Sequence, residues 1–111
     1  MDNELLQEIH IVNNHSPATV RIYDQAVKKY TKFFSMSLEE LLEEAEEEEG
    51  IRWKKRKLKR ILLTFRQHLL ENYSLNSVKT IFSSILYIYN YEIEVLEIPK
   101  IKFIFYTIQN F

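Results

Sequence analysis

Residues 16–34 read SPATVRIYDQAVKKYTKFF and carry the clearest helical pattern in the chain. Ser16 can cap the free amides at a helix start, and Pro17 is tolerated in the first turn because the donor it lacks would be unpaired there anyway. Apolar residues then recur at helical spacing on one side, and charged and amide residues occupy the other. The apolar stripe comprises Val20, Tyr23, Ala26, Val27, Tyr30, Phe33 and Phe34. The pattern predicts an amphipathic helix of about five turns, with Tyr23 and Tyr30 as core aromatics.

The composition favours an all-helical protein with one domain. The 111 residues include one Gly and two Pro, which leaves little material for tight β-turns or Gly-rich phosphate loops. Hydrophobic residues make up 46% of the chain and aromatics 14%, so we expect a folded chain with one modest core. Because Cys is absent, disulfides, thiolate metal sites and Cys nucleophiles are excluded, and we expect a cytoplasmic protein. No segment approaches the roughly 20 apolar residues that cross a bilayer, and residues 1–10 lack the features of a signal peptide.

The same signals predict the other helices. The expected elements are a short helix at residues 2–12, a helix from Ser37 to Gly50, a helix at residues 52–72, and one that starts after Ser74 or Asn76 and ends near Tyr91. Ser37 and Glu40 form a capping box, and Gly50 is expected to end that helix. We divide the chain into an N-terminal segment at 1–15, a helical domain at 16–98 and an extended apolar tail or linker at 99–111.

Each of these later helices has an apolar stripe and a polar face. The stripes comprise Leu38, Leu41, Leu42 and Ala45; Leu58, Ile61, Leu62, Phe65 and Leu69; and Val78, Ile81, Phe82, Ile85, Ile88 and Tyr89. The polar sides are predicted to carry Arg56, Arg60 and Gln67, with Lys55, Lys59 and Arg66 on one flank, and Lys79, Thr80, Ser83 and Ser84 on the last helix. The stripes predict that these helices bury one face each against a shared core.

Residues 43–60, EEAEEEEGIRWKKRKLKR, separate opposite charges although the formal net charge is −1. Eight Glu lie between positions 39 and 49, and seven bases lie between positions 52 and 60. A field extends only about 8 Å at physiological salt, so a partner responds to the face it touches. Two interpretations stay open: the bases neutralise phosphates of DNA, or they form a solvated face paired with the Glu-rich helix. Their place at a helix start, which the helix dipole disfavours, favours DNA.

Several segments resemble the core-binding, SAM-like domain of tyrosine recombinases, the phage-type integrases. SPATVRIY at residues 16–23 is similar to the opening helix of that domain, where the pattern S-x-x-T-x-R-x-Y is common. The similarity continues through KKYTKFF at 28–34, SLEELLEEA at 37–45, LTFRQHLLEN at 63–72 and SLNSVKTIFSSI at 74–85. The run at 43–60 looks most like archaeal integrases. The resemblance covers residues 16–100, most of the chain.

The resemblance implies a four-helix orthogonal bundle that binds one face of duplex DNA, chiefly through phosphates, with its first and third helices. By position it implies DNA contacts for Ser16, Thr19, Arg21, Arg52, Lys54, Lys55, Lys59 and Lys79. A helix start and small hydroxyls can position phosphates, and long cations reach the DNA backbone. For Ser16 a plain helix cap is the alternative, and for Arg21 a surface ion pair. Other recombinase subunits are the second class of partner that the resemblance implies.

Catalysis is not expected from this chain alone. In the resembling family a separate domain supplies two Arg, a His or Lys and a Tyr nucleophile, after a linker that here would begin near Pro99. We do not assign Tyr106 as a nucleophile, because no arginines that would stabilise a transferring phosphoryl group accompany it. His10, His15 and His68 do not form a ligand pattern such as H-x-x-x-H, and we expect no metal or other cofactor.

A second function stays open, in which the chain is a helical protein–protein interaction module. The acidic helix or the apolar tail would then bind another protein, and the basic residues would balance charge. The tail contains Ile101, Phe103, Ile104, Phe105, Tyr106, Ile108 and Phe111. So many apolar side chains would either pack on the bundle or bind a partner.

Overall fold

The computed structural model describes residues 2–48 and 50–92, and every element in these ranges is helical. The elements are α1 (Asp2–Val12), α2 (Pro17–Phe34), α3 (Leu38–Glu47), a 3₁₀ turn (Trp53–Lys55), α4 (Lys57–Asn72) and α5 (Leu75–Glu92). The all-helical prediction is confirmed, and the predicted short N-terminal helix is α1. The predicted extended tail, residues 99–111, lies outside the described residues. In the ranges described, no helix combines the length and apolar character needed to span a bilayer.

Helix starts follow the predicted caps. The Ser16 hydroxyl accepts the Thr19 amide at 3.3 Å, directly before α2. The Ser37 hydroxyl accepts the Glu40 amide at 3.1 Å, and the Ser37 amide donates to the Glu40 carboxylate at 3.1 Å, which completes the capping box of α3. At α5 the Ser74 hydroxyl accepts the Ser77 amide at 3.3 Å, so Ser74 and not Asn76 is the cap. Each cap satisfies an amide that the first helical turn leaves unpaired.

Two helices end in a Schellman motif, in which one left-handed residue lets the chain fold back on the last turn. After α1 the left-handed residue is Asn14, with φ 50°; the His15 amide donates to the His10 carbonyl at 3.0 Å and the Asn14 amide to the Ile11 carbonyl at 3.2 Å. After α2 it is Ser35, with φ 53°. These motifs reverse the chain without glycine, which explains how a chain with one Gly makes its turns.

Gly50 does not have the predicted role of helix stop. The last residue of α3 is Glu47, and no described glycine has a positive φ. The glutamates at the end of α3 face the negative pole of its dipole, which disfavours continuing the helix. The Glu48 side chain also bonds to the start of α4, as described below. The prediction was therefore wrong about which residue ends the helix.

One core joins all five helices. The hydroxyls of Tyr30 on α2 and Tyr89 on α5 hydrogen-bond at 2.7 Å, and the Phe65 ring of α4 lies edge-on to Tyr30 at 4.8 Å. Leu6 and Ile9 bring α1 into the same core. Buried positions include Tyr23, Ala26, Val27, Leu38, Leu41, Leu42, Ala45, Leu58, Leu62, Leu69, Val78, Ile81, Phe82, Ile85, Leu86 and Ile88. The predicted stripes of α3 and α5 are thus buried in full.

Two helix faces differ from the prediction. Phe33 was assigned to the buried stripe of α2 but is 37% exposed, where it stacks on His68 with ring centroids 4.4 Å apart. Ser84 was assigned to the outer face of α5 but is buried. Its hydroxyl donates to the Thr80 carbonyl at 2.9 Å, which satisfies the hydroxyl within its own helix and lets it enter the core.

Candidate nucleic-acid interface

The predicted helix at residues 52–72 is broken near its start. A 3₁₀ turn occupies Trp53–Lys55, and α4 begins at Lys57 after an extended residue, Arg56. Arg52, Lys54 and Lys55 therefore precede α4 instead of lying on it, and all three are exposed. We call these three cations the basic turn. Because a turn bends the chain, its cations are presented at a connection between α3 and α4 and not along one helix face.

Arg56 explains the break and corrects the prediction that it faces solvent. Its side chain is 3% exposed, and its Nε donates to the Ile51 carbonyl at 2.7 Å. A buried guanidinium requires such partners, because burying an unpaired charge is costly. The contact closes residues 51–56 into a loop, and the Lys55 amide donates to the Arg52 carbonyl at 2.9 Å inside it. Arg56 thus fixes the backbone that carries the basic turn.

Glu48 caps α4 from outside that helix. Its carboxylate accepts the Lys57 amide at 2.7 Å and the Leu58 amide at 3.1 Å. These amides stand at the positive end of the α4 dipole, where a carboxylate is favourable and bases are not. One turn earlier on α3, Glu44 lies 3.7 Å from the Lys57 ammonium group. Glu44 and Glu48 therefore bind the first turn of α4, and neither carboxylate lies within 4.0 Å of a cation of the basic turn.

The candidate cations remain accessible. Lys54 and Lys55 are exposed and Lys59 is half-buried. Within the part of the chain that the structure describes, none of these three ammonium groups has a carboxylate within 4.0 Å. An ion pair with the Glu-rich helix is found for Lys57, which was not among the candidates. Lys54, Lys55 and Lys59 form no such pair with the described carboxylates.

Two other candidates meet at a groove between α2 and α5. The groove has a volume of about 620 Å³, and both Thr19 and Lys79 line it, together with Thr80, Ser83 and Asn90. The Asn90 side-chain oxygen is buried there, and no described residue hydrogen-bonds to it. Apolar side chains, among them Ile22 and Leu86, also line the groove, so it presents the Lys79 cation, hydroxyls and an amide beside an apolar wall.

Ser16 and Arg21 lie on either side of Thr19 along α2. The Ser16 hydroxyl caps the helix and lies 3.1 Å from the Thr19 hydroxyl, so its role as a cap is established by geometry. Arg21 is exposed, and no carboxylate among residues 2–48 and 50–92 comes within 4.0 Å of it. A surface ion pair for Arg21 is therefore not found in the described part of the chain.

The buried tyrosines have structural roles. Burial raises the pKa of Tyr30 well above its ordinary value, and the adjacent Tyr89 adds to the effect. Burial, together with Tyr87, raises the pKa of Tyr23 to about 12. Both hydroxyls therefore stay protonated at neutral pH, as expected for the predicted core aromatics.

Comparisons with known proteins give no further assignment. No protein-family model matches the chain, and neither the curated proteins nor the solved structures include a match. Among the described residues, no group of three or more His, Asp or Glu side chains is arranged to hold a metal ion.

Sequence reasoning missed three contacts that shape this region and its surroundings. Arg56 enters the core, Glu48 caps a helix nine positions further on, and His10 pairs with His15. The two asparagines before His15 were a usable signal for the last contact, because Asn tolerates the left-handed position of a Schellman motif. For Arg56 and Glu48 no local pattern separates them from their like-charged neighbours.

Proposed function

We propose that this chain is a duplex-DNA-binding module of the integrase type, which contacts DNA mainly through phosphates and does not cut it by itself. The observation that carries the proposal is the accessible basic turn, Arg52, Lys54 and Lys55, whose backbone Arg56 holds in place. Long cations on a fixed loop can approach phosphates without first breaking ion pairs. DNA binding therefore costs no ion pairs within the described part of the protein, and the full attraction to phosphate contributes to the affinity.

The two bundle helices that the integrase resemblance assigns to DNA are α2 and α4. On α4, Lys59 follows the basic turn closely and would extend its phosphate contacts. On α2, Ser16, Thr19 and Arg21 would contact the DNA backbone, and Lys79 of α5 joins Thr19 at the groove. Hydroxyls and cations of this kind position a duplex but do not read its sequence. Limited base readout is therefore part of the proposal, as is an orthogonal, SAM-like arrangement of the bundle helices.

The test is a fluorescence-anisotropy titration of a mixed-sequence duplex with the full chain at several NaCl concentrations. The logarithm of the binding constant should fall linearly with the logarithm of salt, with a slope of about −0.9 for each phosphate contact. The double variant K54E/K55E should bind at least about tenfold more weakly and lose about two contacts from the slope. Circular dichroism should show unchanged helicity, because both side chains are exposed.

The matched control is K28E/K32E, which makes the same charge change at two exposed lysines of α2 that are not candidates. It should reduce affinity much less than K54E/K55E, since a field acts over about 8 Å at physiological salt. Equal weakening by both variants would show attraction to net charge and would contradict a site at the basic turn. Absence of binding at about 50 mM salt, where phosphate contacts are strongest, would contradict DNA binding altogether.

A second candidate function is a protein-interaction module that uses the outer face of α3. Glu39, Glu40, Glu43, Glu46 and Glu47 are exposed on this helix. A dense acidic face of this kind suits a basic partner. The K54E/K55E variant would then leave partner binding unchanged, whereas E43K/E46K would abolish it. The apolar tail, which was the other surface proposed for this function, lies outside the described residues.

A further inference from the structure

The most unusual polar contact in the described structure joins the two histidines that flank the first chain reversal. The Nδ1 atoms of His10 and His15 lie 2.9 Å apart. The Schellman motif causes this proximity, because it places the residue after the left-handed position over the last turn of α1. An apolar pair usually occupies these two places. Here two titratable rings meet instead.

The pair lies where α1, α2 and α5 contact one another. The His15 ring packs on Tyr23 of α2 at 4.9 Å and near Tyr87 of α5 at 6.3 Å. The Tyr87 hydroxyl donates to the Asn13 side chain at 2.5 Å, in the same connection. Any change in the geometry of the two histidines therefore disturbs the contacts that hold α1 against α2 and α5.

Counting protons shows what each added proton requires of this contact. A hydrogen bond between the two Nδ1 atoms needs one proton between them. If that proton belongs to His10, the Nε2 atom of His10 carries none. If a further proton is added and the bond is kept, both Nε2 atoms must be protonated. With two further protons, both Nδ1 atoms are donors and the bond is lost.

The Nε2 atom of His10 cannot accept such a proton favourably. It is buried, and no group among residues 2–48 and 50–92 hydrogen-bonds to it. A buried N–H without an acceptor is destabilising, and a buried imidazolium is more so. The state in which His10 donates from Nδ1 to His15 is thus the one that avoids an unpaired N–H at this place. Adding a proton either buries an unpaired donor or breaks the contact.

We propose that the His10–His15 pair is a proton-operated latch, which holds α1 on α2 and α5 when both rings are neutral and releases α1 in acid. The surrounding charged and titratable groups are Asp24 and Tyr23 on α2, Tyr87 on α5 and Glu8 on α1. The Glu8 carboxylate is occupied by the Tyr91 hydroxyl at 2.7 Å. Asp24 opposes the latch, because its carboxylate favours a charged His10.

The pKa of His10 agrees in direction with this device. Burial lowers it below its ordinary value of 6.5, His15 lowers it further, and Asp24 raises it in part. A base whose pKa is lowered by folding binds protons more readily when unfolded. Its contribution to stability is therefore present above pH 6.5 and is lost as the pH falls through the lowered pKa of the folded state.

Hydrogen exchange read by mass spectrometry tests the latch in the full chain. After correction for the intrinsic pH dependence of exchange, amides in α1 should lose about tenfold protection between pH 7.5 and pH 5. Amides in α4 and α5 should keep theirs over the same range. Equal loss in all helices would mean global acid unfolding and would overturn the proposal, as would unchanged protection of α1.

Two variants separate the latch from other acid effects. In H15Q the amide oxygen accepts the His10 Nδ1 proton and cannot become a donor in acid, so α1 should lose clearly less protection between pH 7.5 and pH 5 than it does in the wild type. The matched control, H68Q, changes the histidine of α4 and should respond to acid as the wild type does. If H15Q fails to fold, imidazole NMR of the wild type decides: the His10 ring signals should change over the same pH range as α1 protection, and a mismatch would overturn the proposal.

Discussion

The aromatic core and the basic turn are built by different kinds of contact. In the aromatic core, formed by Tyr30, Phe34, Phe65 and Tyr89, large rings from three helices pack edge to face, and nonlocal burial provides the stability. Around the basic turn, the charged side chains of Arg56 and Glu48 bond to backbone groups within ten residues of themselves. The stability of the aromatic core therefore comes from the burial of its rings. The conformation near the basic turn depends instead on which of several similar charged side chains makes each hydrogen bond.

The largest loss of stability is expected from a substitution in the aromatic core. Phe65 is fully buried, so F65A removes a ring and leaves a cavity that costs about 3–5 kcal/mol of unfolding free energy. Urea denaturation measures this directly. The control L63A, on the same helix at a residue 40% exposed, should cost much less. A cost below about 1 kcal/mol for F65A would contradict a core centred on these rings.

A smaller effect is expected when the anchor of the basic turn is removed. R56M keeps much of the buried volume but loses the bond to the Ile51 carbonyl, and a hydrogen bond to a charged group contributes about 1.5–3 kcal/mol. Because the contact is buried, the cost should persist in about 1 M salt, where exposed pairs are screened. R60M, at an exposed base on α4, is the control. Equal effects of the two variants would show that Arg56 acts as a surface charge.

The smallest of these effects concerns the cap that Glu48 gives to α4. E48Q keeps an oxygen acceptor but removes the charge at the helix start, and loss of a cap costs about 0.5–2 kcal/mol. E46Q is matched, because it removes the same charge from the end of α3 at an exposed side chain. Thermal unfolding should place E48Q below E46Q. If E46Q were the less stable of the two, the cap would not be the reason for the position of Glu48.

How well the sequence predicted each region follows from the range of the interactions involved. A helical period of apolar residues is a local signal, and it correctly predicted the buried faces of α3 and α5 and the buried Tyr23 and Tyr30. Caps are local as well, which is why Ser16 was predicted as a helix cap and Ser37 as a cap paired with Glu40. The helical period did not predict the environments of Phe33 and Ser84. The exposed Phe33 ring stacks on His68 of α4, and the buried Ser84 hydroxyl donates to the Thr80 carbonyl of the same helix.

The candidate site was less predictable. The sequence named the cations, but it placed Arg52, Lys54 and Lys55 on a continuous helix, whereas they lie on a turn before it. Seven bases in nine positions carry almost no pattern that distinguishes a buried one from an exposed one. The groove that unites Thr19 with Lys79 joins residues sixty positions apart in the chain, and only the packing of α2 on α5 creates it.

The sequence alone was enough to predict that this chain folds as amphipathic helices, that Ser16 and Ser37 cap two of them, and that opposite charges occupy adjoining segments. These properties depend on neighbours within one or two helical turns, which the sequence contains explicitly. Only the tertiary structure decided that Arg56 is buried, that Glu48 binds the amides of α4, and that His10 meets His15 at the seam of three helices. Each of those outcomes is a competition among similar polar groups, and it is resolved by which partner the folded backbone brings within hydrogen-bond distance.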